Sequence, residues 1–309
     1  MNYSVTSIWR PMVAFCSDKR VMKIAPNLLA MSFLVMGCAS QHDGLNATLW
    51  VQTSAEYQGN SEMLFNVAES QLPLLRDKAN VTADIDQAKT YGCEVGVACP
   101  ALATASLAPA VIMDVDETVL DNSAYQARLI KKGEQWNPSS WDKWVEEKTA
   151  FAVPGALAFV ERAKAEGVTV IFVTNRKCSV REDSNVSSFE NLCPQKLDTA
   201  DNLVEVGYPL LSSSDLLALR GERVEWGNSE KRERRKHFSQ RYRIIMLIGD
   251  DLGDLASNIK SASVAERREF VKTHQSLFGK YWFQLTNPVY GSWQRSINYE
   301  DKLDYLRYK

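Results

Sequence analysis

Pro109-Ala110-Val111-Ile112-Met113-Asp114-Val115-Asp116-Glu117-Thr118 is a short apolar run that stops abruptly in acids. A continuous run of this length predicts a strand buried on both faces, with polar residues at its C-terminal end. The pattern recurs outward from it. Val168 to Thr174 predicts a second buried strand and Leu216 to Leu219 a third. Arg243 to Asp250 predicts a fourth, again ending in acids, and Trp282 to Thr286 a fifth. Helical spacing fills the intervals. Leu49 to Ala79 carries apolar residues at helical positions, and Pro154-Gly155 opens a helix closed by Glu166-Gly167. A helix is expected after Cys193 to Gly207, and a charged one over Glu230 to His237. Residues 80–108 begin helical and become a Cys/Gly/Pro/Ala loop, and residues 122–153, with Trp136, Trp141 and Trp144, are helical in propensity. Strands alternating with helices predict an α/β fold: a parallel sheet of about five strands, helices on both faces, and a smaller helical cap or accessory domain. Such sheets bind ligands at the carboxyl ends of their strands, which here carry Asp114, Thr174 and Asp250.

Composition agrees with a globular chain. Of 309 residues, 45% are hydrophobic and 24% charged, which excludes a disordered or fibrous protein. The net charge of −2 gives no reason to expect a nucleic acid polymer as partner. His42, His237 and His274 are far apart and form no HExxH zinc site. Neither a GxxxxGK[ST] phosphate loop nor a GxSxG nucleophile elbow is present.

The acids at the strand ends suggest a chemistry. Asp114 directly after a buried strand is costly without a cation or hydrogen-bond partners. Gly249-Asp250-Asp251-Leu252-Gly253-Asp254 brings more carboxylates to the same edge. Clustered carboxylates repel unless a hard divalent cation sits among them, and magnesium suits one or two carboxylates, waters and a phosphate oxygen. A free aspartate can attack phosphorus, and a carboxylate two residues on can protonate the leaving alkoxide and then activate water. Thr174 and Asn175 can donate to phosphoryl oxygens, and Lys231 can complete the neutralisation. An EF-hand is the weaker reading, because its sixth and twelfth positions would be Val119 and Tyr125 instead of glycine and glutamate. Lys231 also lies in a basic run, Lys231 to Lys236, that taken alone reads as solvated surface. The order of the motifs, DxDxT, then Thr-Asn-Arg, then Lys, then GDDxxD, favours the site.

The N-terminus reads as a targeting segment. Lys19, Arg20 and Lys23 precede an apolar stretch from Leu28 to Gly37, too short to span a bilayer and followed by Cys38. Val35-Met36-Gly37-Cys38 resembles a bacterial lipobox, in which the cysteine is lipidated and becomes the first mature residue. Either Met1 or Met22 can be the start, and Met22 gives a signal of ordinary length. Loss of residues 1–37 leaves a formal net charge of about −5. Ala39 after the cysteine implies the outer membrane of the cell envelope, on the periplasmic side. Cys93, Cys99, Cys178 and Cys193 remain. An even set in an oxidising compartment reads as disulfides. Three pairings are open, of which the local pairs Cys93–Cys99 and Cys178–Cys193 are the expectation.

The ordered motifs resemble the haloacid dehalogenase (HAD) superfamily, and within it the class C bacterial acid phosphatases, a family that includes lipoprotein-type 5′-nucleotidases. The likeness lies in Val111 to Tyr125, including Asn122 and Tyr125, and in Ile248 to Asp254. It extends to Leu49 to Tyr57, Trp141-Asp142-Lys143-Trp144, Ser229 to Arg232, and Asn287-Pro288-Val289-Tyr290-Gly291-Ser292-Trp293. It therefore spans about residues 47–295. Glu117 argues against the class B enzymes, whose motif is DxDDT. Asp251 and Leu255 are mild departures from the second signature.

The resemblance implies a HAD-like Rossmannoid core and a magnesium-dependent phosphomonoesterase acting on phosphomonoesters such as 5′-nucleotides or nicotinamide mononucleotide. It implies Asp114 as nucleophile and Asp116 as general acid and base. Lys231 would stabilise the transferring charge, and Thr174 and Asn175 would bind phosphate with Arg176 in support. Magnesium would be held by Asp114, the Asp116 carbonyl and Asp250, with Asp254 supporting. Tyr57, Tyr125, Trp141, Trp144 and Tyr290 are candidates to face the leaving group. The expected organisation is signal 1–37, lipidated tether 38–48, helical accessory part 49–108, core 109–121 and 154–287, cap insertion 122–153 and C-terminal helical segment 288–309. A homodimer is left open. The competing readings are a phosphotransferase, a non-catalytic surface lipoprotein or adhesin, and a ligand carrier.

Overall fold

The computed structural model describes residues 42–181, 193–209, 215–298 and 300–307. The signal segment, Cys38 and the start of the tether lie outside the described residues. The expected helix over 49–79 is two helices, α1 (Leu45–Thr53) and α2 (Ala55–Asp77). They break at Ser54, whose hydroxyl accepts from the Tyr57 amide at 3.1 Å and caps α2. The short α3 (Ile85–Thr90) and α4 (Pro100–Thr104) follow, with the Cys93–Cys99 disulfide between them.

The chain then enters β1 (Ala108–Met113). A tight turn leads to the two-residue β2 (Leu120–Asp121), then α5 (Ser123–Lys132), α6 (Pro138–Glu147) and β3 (Phe151–Ala152). β2 and β3 pair antiparallel, a small ribbon the sequence reading did not anticipate, and it brackets the tryptophan-rich insertion. Next come α7 (Ala156–Ala165), β4 (Thr169–Lys177), α8 (Pro194–Glu205) and β5 (Leu217–Arg220). The Cys178–Cys193 disulfide ties the end of β4 to the start of α8. α9 (Arg232–Ser239), β6 (Tyr242–Gly249), α10 (Leu252–Leu255), α11 (Val264–Thr273) and β7 (Trp282–Gln284) complete the core.

Five strands form one parallel sheet in the order β5-β4-β1-β6-β7, flanked by helices. This is the expected α/β, HAD-like arrangement. Val111, Ile112, Met113, Ile171, Phe172, Val173 and Ile244 to Ile248 are all buried, which is why these strands read as unbroken apolar runs. β4 extends past Thr174 to Lys177, so Thr174, Asn175 and Arg176 lie on the strand itself.

The C-terminal segment differs from expectation. In place of a helix over 288–309 it forms two short 3₁₀ turns, Ser292–Ser296 and Lys302–Tyr305. α11 was not anticipated, although Ser263 and Glu266 form a capping box at its start. No helix among the described residues is long and apolar enough to cross a membrane.

Candidate functional site

Four chain segments meet at the carboxyl edge of the sheet. Asp114 follows β1, and its amide still donates to Ile248 O of β6 at 2.9 Å. Asp250 follows β6, and Asp254 returns to the same point from α10. One carboxylate oxygen from each of Asp114, Asp250 and Asp254 lies within 4.8 Å of the others. Gly249 makes this approach feasible, because a Cβ there would lie 2.4 Å from the Asp254 side chain. The Asp251 carboxylate caps α10 by accepting from the Gly253 amide at 2.7 Å, while Asp254 accepts from the Asp251 amide at 3.0 Å. Asp250 is steadied by Asn287 Nδ2 at 2.8 Å.

Burial sets the electrostatics. It pushes the Asp114 carboxyl up to about 7, with Lys231 opposing and Asp254 and Asp116 adding to the rise. Burial also drives Asp250 well above the usual carboxylate range, helped by Asp254 and Asp114. Asp114 and Asp254 are buried and Asp250 is half-buried; the Lys231 Nζ bonds Asp114 Oδ1 and lies 2.8 Å from Asp254 Oδ1. The oxygens are hard donors in a compact cluster, so the donor set fits a divalent cation.

Asp116 faces elsewhere. Its Oδ1 accepts from Arg176 Nε at 2.9 Å and Asn122 Nδ2 at 3.0 Å, and its Oδ2 from Thr174 Oγ1 at 3.3 Å. The Arg176 Nη2 also pairs with Asp116 Oδ1 at 2.8 Å. Asp116 side-chain oxygens are therefore not part of the three-acid cluster. Between Asp114 and β2 the chain makes a tight turn in which Val115 O accepts from the amides of Val119 and Leu120, both at 2.9 Å. Glu117 is left-handed here at φ 58°, a conformation costing roughly 1 kcal/mol for a residue with a side chain. Its carboxylate is held by the Asn122 amide at 3.0 Å and by the Tyr290 hydroxyl, which offsets that cost.

Lys231 occupies the N-cap position of α9, and Arg234 and Arg235 lie on the same buried face. Arg235 pairs with buried Asp84 at 2.8 Å and donates to Asp254 O at 3.2 Å, which fixes the helix against the site. This resolves the register of the basic run: residues 231, 234 and 235 face inward, while Arg232 and Lys236 are exposed. Thr174 is buried, and its hydroxyl accepts from the Arg176 amide at 3.0 Å. Asn175 Oδ1 accepts from Arg234 Nη2 at 2.8 Å.

These groups open onto a cavity of about 550 Å³, lined by Asp114, Asp116, Asn175, Arg176, Lys231 and Asp250 together with Trp136, Trp141 and Tyr290. A larger groove of about 770 Å³ lies between α11 and the C-terminal turns, but none of the three clustered acids lines it. Of the five predicted aromatics, Trp141 and Tyr290 line this cavity. Tyr57, Tyr125 and Trp144 do not; they are buried in its supporting wall. Tyr57 packs edge-on to Trp50 at 5.6 Å, the Tyr125 hydroxyl bonds Ser140 Oγ at 2.8 Å, and Trp144 Nε1 donates to Asn122 Oδ1 at 2.7 Å. Arg176, predicted to support phosphate, is buried and bonded to Asp116, Thr199 and Asn122. Sequence reasoning missed Trp136, Asn287 and Arg234. The Asn287 stretch had drawn notice by resemblance, and Arg234 follows Lys231 by one helical turn, the signal that could have found it. Both expected disulfides are present.

Comparison with known proteins places this geometry. The family model described as HAD superfamily, subfamily IIIB (acid phosphatase) matches residues 78–293. The solved class C acid phosphatase from Bacillus anthracis is 26% identical, with a TM-score of 0.64 over 85% of this chain and 96% of that one. The Bacillus anthracis enzyme with tungstate bound is 27% identical, with the same TM-score of 0.64 and the same coverage of 85% and 96%. With well over half of its length matched, the chain belongs to the subfamily IIIB acid phosphatases of the HAD superfamily and is a phosphoric monoester hydrolase.

Proposed function

We propose that this chain is a magnesium-dependent acid phosphatase that hydrolyses small phosphomonoesters, 5′-nucleotides or nicotinamide mononucleotide among them, through an aspartyl-phosphate on Asp114. The observation that carries the reading is the division of carboxylates in one cavity. Asp114, Asp250 and Asp254 cluster together, with Lys231 bonding Asp114 and Asp254, while Asp116 is turned toward Arg176.

The division supports separate work for each acid. An Asp114 oxygen forms a bond to phosphorus as the ester P–O bond breaks. Asp116, protonated at that stage, gives its proton to the departing alkoxide oxygen. Water then attacks the phosphorus and its proton returns to the Asp116 carboxylate. The Asp114–phosphorus bond breaks, leaving inorganic phosphate and the original enzyme. Lys231, Thr174 and Asn175 supply donors to the phosphoryl oxygens. Asp114, Asp250 and the Asp116 carbonyl would hold magnesium, with Asp254 behind them. When bound, it neutralises the clustered acids and the phosphoryl charge. Trp136, Trp141 and Tyr290 give the leaving group apolar, stackable surface. A general acid that must start protonated is consistent with an acidic optimum.

The leader motif ending at Cys38 supports anchoring by a diacyl lipid to the outer membrane, which would leave the described residues on the periplasmic side. The test is phosphate release by residues 39–309 from p-nitrophenyl phosphate and from a 5′-nucleotide, with magnesium and with a chelator. Turnover of both that stops with the chelator is expected. Turnover indifferent to the chelator would refute the metal dependence, and failure on the nucleotide alone would refute the substrate class. Mass spectrometry of the envelope-expressed full chain checks the anchor, with a diacylated N-terminal Cys38 expected.

A further inference from the structure

Arg234 is a buried cation at the site with no assigned task. It is fully buried, and among the described residues it forms no ion pair with a carboxylate. All its recorded partners are neutral oxygens. Nη1 donates to Thr174 O, and Nη2 to Asn175 Oδ1 at 2.8 Å and Glu230 O at 3.1 Å. Its Nε is buried without a partner. Burial lowers the guanidinium to about 10, so it stays charged at working pH. The nearby Asp114 and Asp254 favour the charge without bonding to it.

The geometry of Asn175 shows what the charge does. A guanidinium only donates, so the amide atom that meets Nη2 must be the oxygen. The Asn175 NH₂ is thereby fixed on the opposite side of the amide. Asn175 lines the cavity beside Asp114 and Lys231. Without Arg234 the amide could turn over and present its oxygen to a phosphate dianion, which repels it.

We propose that Arg234 is a positioning residue for substrate phosphate: it locks the Asn175 amide so that the NH₂ group faces the phosphoryl oxygens. The inference rests on the reading of Thr174 and Asn175, on β4, as phosphate-binding residues.

A double-mutant cycle read as the inhibition constant of inorganic phosphate on the magnesium-loaded enzyme tests this. Arg234→Met and Asn175→Ala should each weaken phosphate binding by about ten- to hundredfold, the range for a lost hydrogen bond to a charged group. The double variant should bind no more weakly than the worse single one. Asn175→Asp keeps an acceptor for Arg234 and so protects the fold, but turns an oxygen to the cavity. It should bind phosphate more weakly than Asn175→Ala. Arg234→Lys should restore only part of the affinity, because an ammonium cannot bridge Thr174 O and Asn175 Oδ1 as the fork does.

Two results would overturn the proposal. One is a double variant whose loss equals the product of the two single losses. The other is Asn175→Asp binding phosphate as well as the parent, which decides the matter even if Arg234→Met does not fold. An unchanged constant in Asn175→Ala would instead sink the phosphate-binding role of Asn175, and this proposal with it.

Discussion

Replacing Lys231 by methionine removes the cation that pairs directly with two of the three clustered acids, Asp114 and Asp254. The side chain is buried, and the substitution is close to isosteric, so the change is mostly one of charge. Two contacts go, to Asp114 and to Asp254. Breaking a buried ion pair by deleting one partner costs about 3–5 kcal/mol, because the other charge stays buried. The cost should depend on pH. Burial already raises Asp114 to about 7, and Lys231 holds it from rising further. A carboxyl raised in the folded state stabilises the fold below its unfolded value, and that stability is lost as pH rises through the folded value. Without Lys231 this loss is larger, so the variant should be most damaged above about pH 7 and less damaged near pH 5. A divalent cation should restore part of the stability by taking over the neutralisation. Urea unfolding of Lys231→Met and parent, at both pH values with chelator and with magnesium, measures all three effects. A loss below about 1 kcal/mol at the higher pH with chelator, or one that ignores pH and metal, would refute the shared-cation account.

Other perturbations probe the neighbouring groups. Arg176→Met should cut kcat about 10²-fold on an alkyl phosphate but less than tenfold on p-nitrophenyl phosphate, whose leaving group needs little protonation; steady-state kinetics on both esters checks it. Burial raises Asp251, but bonds from Ser292 and the Gly253 amide outweigh it and hold the carboxyl below its usual value. Ser292→Ala should therefore cost about 1–2 kcal/mol at neutral pH, a difference that shrinks as pH falls below about 4 in denaturation curves. Trp144→Phe should lose about 1–2 kcal/mol through its bond to Asn122, and should lower kcat more than KM, because Asn122 also holds Asp116. Opening the Cys178–Cys193 bridge, which closes a 15-residue separation, should cost about 3 kcal/mol in urea denaturation of the Cys178→Ser, Cys193→Ser variant.

The strand ends were the legible part of the chain. Val111 to Met113 and Ile244 to Ile248 are buried on both faces, so their apolar runs stand out, and acids placed directly after them have no structural excuse. The basic run was less legible. Lys231 to Lys236 has no apolar periodicity, because the inward face of α9 carries cations whose partners, Asp114, Asp84 and Thr174, are distant in sequence. The aromatics were ambiguous for another reason. Tyr125 and Trp144 satisfy their polar atoms on Ser140 and Asn122, so they serve the cavity wall, while Trp136, left out of the ligand candidates, is 56% exposed on its rim. The strained turn at Glu117 is only partly legible: Asn122 holds it from five residues on, but its other partner, Tyr290, is far along the chain.

The central claim is that Asp114, and no other group, takes the phosphoryl transiently. Rapid acid quench of the magnesium-loaded enzyme with radiolabelled phosphomonoester, followed by peptide mapping, tests it directly. The account predicts label on the peptide that contains Asp114, absent in Asp114→Asn and chased by excess unlabelled substrate. Label on another residue, or full turnover by Asp114→Asn, would contradict it.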